Sequence, residues 1–143
     1  MSIEENKVIA RRFVEEMMNG QHMDRIDEFV APDAVSHTRH DEANYRQRLR
    51  EVFSDGRPDW RFTVDDVIAE DDKVVVRCTA SYITWIDRNM LGTPYEPGTR
   101  ATVWHIHIFR IHDGQITDHW PVRDDWDAVV QFSAPVTRFA RQL

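Results

Sequence analysis

The hydrophobic pattern of this 143-residue chain shifts from mainly helical to mainly strand-like at Asp55-Gly56, and that switch constrains the fold more than any other feature. Upstream, apolar residues recur at helical spacing. Ser2 and Glu5 stand at capping-box separation, and Val8, Ile9, Phe13 and Met17 follow at helical intervals until Asn19-Gly20, which predicts a helix from about Ile3 to Asn19. A short second helix, HMDRIDEFV, is closed by Ala31-Pro32; AVSH then reads as a brief strand carrying His37, and EANYRQRLREVF as a third helix. Downstream, the segments DWRFTVDDVIAE, KVVVRCTASYITWI, TRATVWHIHIFRI and QITDHWPVR are β-rich and separated by turn chemistry, and DWDAVVQF reads as a last short helix. Helices followed by strands predict an α+β layout, with a curved antiparallel sheet covered on one face by the helices.

Nothing in the chain suggests a second domain. No repeat, low-complexity tract or interdomain linker interrupts residues 1–143, a length suited to one domain with its own core. The irregular stretch DRNMLGTPYEPG, Asp87 to Gly98, is too rich in Pro and Gly to continue a ladder and reads as a lid or pocket rim. A net charge of −7, without basic residues interleaved among the aromatics, argues against nucleic acid as a partner. The first residues lack an apolar signal-like run, and no apolar stretch approaches the ~20 residues of a membrane span, so a cytoplasmic location is expected. The single cysteine, Cys78, excludes an intrachain disulfide and reads as a small buried hydrophobe.

The chemistry concentrates in VWHIHIFRIHDGQITDHWPVRDDW. Strand alternation puts His105 and His107 on one face with Val103, Phe109 and Ile111. Which residues of the next strand join them depends on the turn. A two-residue turn at Asp113-Gly114 pairs His107 with Trp120; a bulged turn at His112-Asp113-Gly114 pairs His107 with His119 and His105 with Pro121, and leaves Trp120 with Ile106 on the other face. The bulged register is preferred, because it gathers His105, His107 and His119. Three imidazoles in an apolar volume suit proton transfer near neutral pH, although such a cluster can also be a hydrogen-bonded structural core.

The chain resembles the SnoaL-like polyketide cyclases of the NTF2-like superfamily over nearly its whole length. The likeness rests on NKVIARRFVEEMMNGQHMDRIDEFVAPDAVSH, DWRFTVDDVIAEDDKVVVR, LGTPYEPGTR and FRIHDGQITDHWPVRDDW, in that order and spacing. It implies an NTF2-like cone, a bent sheet wrapped around a deep pocket with three N-terminal helices closing it. It also implies cofactor-free chemistry on aromatic polyketide intermediates. In such cyclases a strand pair supplying an amide and an imidazole falls on His105 and His107 here, while the catalytic aspartate falls on Pro121, which cannot transfer a proton. HWPVRDD is similar instead to a branch of the family that includes proteins assigned as hydroxylases.

The expectation is therefore an enzyme, cyclase-like or hydroxylase-like, that holds a flat and anionic aromatic molecule. His107 is the expected acid/base, or the donor to a developing enolate oxygen; His105 and His119 orient it, His37 reaches the mouth, and Asp118 is a reserve base under the two-residue turn. Trp60, Phe62, Trp85, Met90, Trp104 and Tyr45 are candidate walls. A rival is a zinc or iron enzyme ligated by His105, His107 and His119; another is a non-catalytic binding or dimerisation module. No metal and no cofactor are expected. The apolar outward positions Trp104, Ile106 and Ile108, like the resemblance, suggest a homodimer.

Overall fold

The computed structural model describes residues 1–53, 59–83, 98 and 100–132. Helix α1 (Ile3–Arg12) opens on the expected capping box: the Glu5 amide donates to Ser2 Oγ at 3.1 Å, and the Ser2 amide donates to Glu5 Oε2 at 2.6 Å. From Phe13 to Met18 the helix widens to i→i+5 hydrogen bonding, seen in the Asn19 amide donating to the Val14 carbonyl at 3.2 Å. A single tight turn (Met23–Arg25) leads into α2 (Ile26–Phe29).

Strand β1 (Val30–His37) is longer than AVSH and begins before Pro32. Proline fits there because the pairing of β1 with its neighbour is irregular between Val30 and Val35, so no ladder donor is missed. The third helix is shorter than its sequence pattern. Glu42–Asn44 forms a strand, β2, and α3 runs from Tyr45 to Phe53, with the Gln47 amide donating to Asn44 Oδ1 at 3.1 Å as its cap.

Four long strands follow: β3 (Arg61–Glu70), β4 (Lys73–Ile83), β5 (Arg100–His112) and β6 (Gln115–Arg123), and then α4 (Asp125–Phe132). They form one six-stranded sheet in the order β2-β1-β6-β5-β4-β3. All neighbours run antiparallel except β1 and β6, which are parallel. The α+β cone is therefore as expected, with one parallel pairing added.

The core lies between α1 and the inward face of the sheet. Ala10, Phe13, Val14 and Met17 are fully buried, as are Val74, Val76, Phe109 and Ile116 from the strands. Phe13 sits edge-on to Phe109, ring centroids 5.4 Å apart, and also contacts Phe29 and Tyr45. Cys78 is buried among these apolar groups, and burial pushes its thiol up to about 12, the behaviour of an inert hydrophobe. Among the described residues, no helix is long and apolar enough to cross a membrane.

Candidate functional site

The β5–β6 hairpin sets the site. Asp113 and Gly114 have φ of 48° and 78°, the two left-handed residues of a tight type I′ turn, and His112 pairs with Gln115 across it. The bulge is not in the turn, as the preferred register has it, but in β6. Ile111 faces Ile116 while Arg110 faces Asp118, so Thr117 is the extra residue. Beyond it Phe109 pairs with His119, Ile108 with Trp120 and His107 with Pro121. This register lies two residues from the expected one. Because strand faces repeat every two residues, the same side chains point inward. The pairings change, with Pro121 opposite His107 instead of His105, and Trp120 beside Ile108 instead of Ile106.

The bulge has a readable cause. Ile116 is 0% exposed and His119 is 5% exposed, both on the inner face although three positions apart, and period-two alternation permits that only if one residue is skipped. His105, His107 and His119 are all buried on this face and line one cavity of about 310 Å³. Helix α3 forms the opposite side, presenting Tyr45, Arg48, Leu49, Val52 and Phe53 from one helical face. Met18, Trp60, Phe62 and Pro121 complete the apolar lining, and Arg48, Arg123 and Asp125 carry its charges. Arg48 donates to both carboxylate oxygens of Asp41, at 3.1 and 3.2 Å, and Arg123 to Asp125 at 3.4 Å.

The position of Phe62 on the edge strand β3 depends on Asn19. Its amide donates to the Phe62 carbonyl at 2.8 Å, and its Oδ1 accepts from the Phe62 amide at 2.6 Å. One side chain thus replaces a missing strand partner, and the widened end of the first helix carries it there.

The imidazoles form a connected chain. His107 Nδ1 lies 2.9 Å from His119 Nε2, and His119 Nδ1 lies 3.0 Å from the Ser36 hydroxyl, which has no exposed surface. Tyr45 stacks on His119 at 4.3 Å, and Phe109 stacks on both His107 and His119. Trp60 and Phe62 meet the His105 ring at steep angles. Burial lowers His105 to about 4, aided by the Arg123 charge. Burial lowers His107 to about 3, with His105 and Arg123 adding to the effect. His119 falls well below the ordinary histidine range, again chiefly through burial. All three are neutral at pH 7. His107 Nε2 is buried and has no hydrogen-bond partner among the described residues, a state that costs about 1–3 kcal/mol.

Several expected residues lie elsewhere. Ser36 points inward, so strand alternation turns its neighbour His37 outward. His37 Nε2 is 2.9 Å from Asp118 Oδ1 and its Nδ1 is 2.9 Å from Glu42 Oε1, and its ring stacks on Trp120 at 4.9 Å. Carboxylates only accept, so both ring nitrogens carry hydrogens; the hydrogen bond to Asp118 raises the His37 pKa against partial burial. Burial raises the Asp118 carboxyl, but bonds from His37 and Thr117 and the charge of Arg110 together hold it below the usual range. Neither group lines the cavity, so His37 does not reach the mouth and Asp118 is no pocket base.

Trp104 is also outside the cavity. It is 62% exposed on the outer face beneath the Arg77 guanidinium, because Val103 and His105 take the inward positions around it. Tyr45, Trp60 and Phe62 line the cavity. Trp85, Met90 and the proposed lid up to Pro97 lie outside the described residues. The sequence reading passed over Ser36, Arg48, Arg123 and Asp125. Ser36 could have been found from period-two alternation beside His37, and Arg48 from its helical spacing to Tyr45 and Val52.

Among the described residues no three His, Cys, Asp or Glu side chains are placed to hold a metal ion. The reason for the histidines is geometric: His107 and His119 aim ring nitrogens at each other, not at a common point.

Comparison with known proteins agrees with this architecture. No curated protein matches the chain significantly. Among solved structures it is similar to AclR, a proposed hydroxylase from Streptomyces galilaeus, with 23% identity, a TM-score of 0.73 and coverage of 92% of this chain and 97% of that one. TsrD from Streptomyces laurentii gives 25% identity and a TM-score of 0.72 over the same shares. IdmH, a proposed polyketide cyclase from Streptomyces antibioticus, gives 23% identity and a TM-score of 0.71, covering 88% of this chain and 96% of that one. These likenesses concern the fold. The SnoaL-like domain model matches residues 10–119, from the first helix to the last histidine of the cluster, and the chain belongs to the SnoaL-like family.

Proposed function

We propose that this SnoaL-like protein is an enzyme that binds a flat, anionic, aromatic polyketide-type molecule and acts on it without a cofactor, using the neutral His107 ring as its polar contact. The observation that carries the reading is the Nε2 of His107, without a hydrogen-bond partner among the described residues, in a largely apolar cavity of about 310 Å³. That volume suits a small fused-ring ligand, and apolar walls with few placed polar groups are typical of such sites. Arg48 and Arg123 each spend one guanidinium nitrogen on a carboxylate, Asp41 and Asp125, and their other N–H groups favour a negative charge on the ligand.

The low proton affinity of the histidines favours one of the roles considered for His107. A ring whose conjugate acid has a pKa of about 3 is a weak base but remains a good hydrogen-bond donor. His107 therefore stabilises charge developing on an enolate or phenolate oxygen, and His119 and His105 hold its orientation. Cyclase-like and hydroxylase-like chemistry both pass through such an oxygen anion.

A second reading is favoured by one observation. The only carboxylate lining the cavity among the described residues, Asp125, is already paired with Arg123, so no free general base faces His107. Binding without turnover is consistent with that lining. Titration of wild type and His107→Ala with an anthracycline-type methyl ester precursor, following both binding and product, separates the readings. Product formed by wild type and lost with His107→Ala supports the enzyme; binding without product supports the binding module; no binding overturns both.

The outward apolar residues support a homodimer. Trp104 and Val122 are 62% and 65% exposed and Ile106 is 38% exposed, a concentration of apolar surface on one face of the sheet.

A further inference from the structure

The chain of hydrogen bonds from Ser36 through His119 to His107 has two ways of placing its hydrogens, and they leave His107 with opposite character. In the first, the Ser36 hydroxyl donates to His119 Nδ1, His119 Nε2–H donates to His107 Nδ1, and His107 Nε2 carries a hydrogen. In the second, His107 Nδ1–H donates to His119 Nε2, His119 Nδ1–H donates to the Ser36 oxygen, and His107 Nε2 is a bare lone pair. The heavy-atom separations of 2.9 and 3.0 Å allow either.

Counting donors together with ring-nitrogen lone pairs distinguishes them. The first arrangement leaves one donor unspent, His107 Nε2–H. The second leaves the Ser36 hydroxyl hydrogen without an acceptor among the described residues, in a side chain with no exposed surface. It also leaves the His107 lone pair unused. Arg123, the cavity-lining cation on the same hairpin, is engaged by Asp125, and His107 Nε2 has no partner among the described residues that would favour a lone pair there. We propose that Ser36 is a positioning residue that locks His119 and His107 into the tautomer in which His107 Nε2–H is presented to the cavity as a fixed hydrogen-bond donor.

The serine also limits what the chain can do. Were His107 to give its Nε2 hydrogen to a substrate oxygen and be refilled through Nδ1, the His119 Nε2 hydrogen would move to His107 and the Ser36 hydroxyl hydrogen to His119 Nδ1. That would leave an alkoxide in a fully buried position. A serine terminus therefore makes the chain a lock and not a proton wire, and it suits the charge-stabilising role proposed for His107, on which this consequence rests.

The test is 15N NMR of the imidazoles in the ligand-free protein at pH 7, which reads each ring nitrogen as protonated or bare and needs no substrate. In wild type, His107 and His119 should both be protonated at Nε2 and bare at Nδ1. In Ser36→Ala the two arrangements leave equal numbers of donors and ring lone pairs unspent, two each, so the opposite tautomer should rise from undetectable to a fraction comparable with the first. A protonated Nδ1 on His107 in wild type, an imidazolium at either ring, or unchanged tautomers in Ser36→Ala overturns the proposal. These results are independent of whether any polyketide binds, so the proposed function fails or stands on the ligand titration alone.

Discussion

At the level of single residues, the site is a set of histidines kept neutral by burial, and two measurements follow. His107→Ala removes a cavity ring whose Nε2 has no hydrogen-bond partner among the described residues, and loss of a donor to a developing oxyanion typically costs ~10²–10³ in rate. The variant should keep its circular dichroism spectrum and lose turnover by that order; full activity would remove His107 from the mechanism. The second measurement is stability against pH. His105 and His107 have folded-state pKa values of about 4 and about 3, below the ordinary ~6.5, and His119 is lowered as well. The unfolded chain therefore binds more protons below pH ~6.5, so the stabilisation is complete above that value and is lost as pH falls toward the folded values. Each ring contributes a slope of up to about 1.4 kcal/mol per pH unit. His37 acts with the opposite sign, since its raised pKa gives stability present at low pH and lost as pH rises through the folded value. Three rings against one predict a clear net fall, so a denaturant midpoint equal at pH 5 and pH 7 would show that the cluster is not neutral and buried.

At the level of elements, the cavity depends on a bulge and an edge. The extra residue Thr117 lets Ile116 and His119 both face inward, and it places Pro121 opposite His107. Pro121 lies past Ser36–His119, the last pairing of β1 with β6, so its missing amide is not needed by that neighbour. Pro121→Asp should therefore fold, and its carboxylate would project from a position directly across from His107, where a cross-strand pair brings Cβ atoms to roughly 5 Å. Gain of cyclase-like turnover is the expected direction, since a positioned general base is typically worth ~10²–10⁴ in rate; a variant that folds and binds but shows no change would separate the missing base from the missing activity. On the other edge, Asn19→Ala leaves both backbone groups of Phe62 without their partner. A loss of about 1–3 kcal/mol in thermal or denaturant unfolding is expected, with weaker ligand binding through a loosened Phe62 wall. Unaltered stability would mean that water replaces Asn19 at no cost.

At the level of the whole molecule, the inner and outer faces of the sheet divide the work. The inner face holds the cavity, while the outer face carries Trp104, Ile106 and Val122, and the proposed dimer would cover it. Sedimentation at micromolar concentration should give twice the chain mass, and Trp104→Glu should shift the population toward monomer; a wild-type monomer would count against the dimer. The α+β layout, the capped first helix, the long strands and the inward set His105, His107 and His119 were all determined by local sequence, because hydrophobic period and cap spacing act over a few residues. Burial then selects the strand face, and registers differing by two residues share that face, so the inward set survived a shifted pairing. Where an element ends, as at β2 in place of the start of the third helix, depended on which neighbour offered backbone partners. The same is true of His37 and Asp118, whose ionic partners come from other strands and tie them up outside the cavity. Ser36 and His119 stand 83 positions apart and become partners only because β1 lies parallel to β6. Sequence period specifies which way a side chain points; which distant group it meets there is decided by strand order and register, which follow from packing the whole chain.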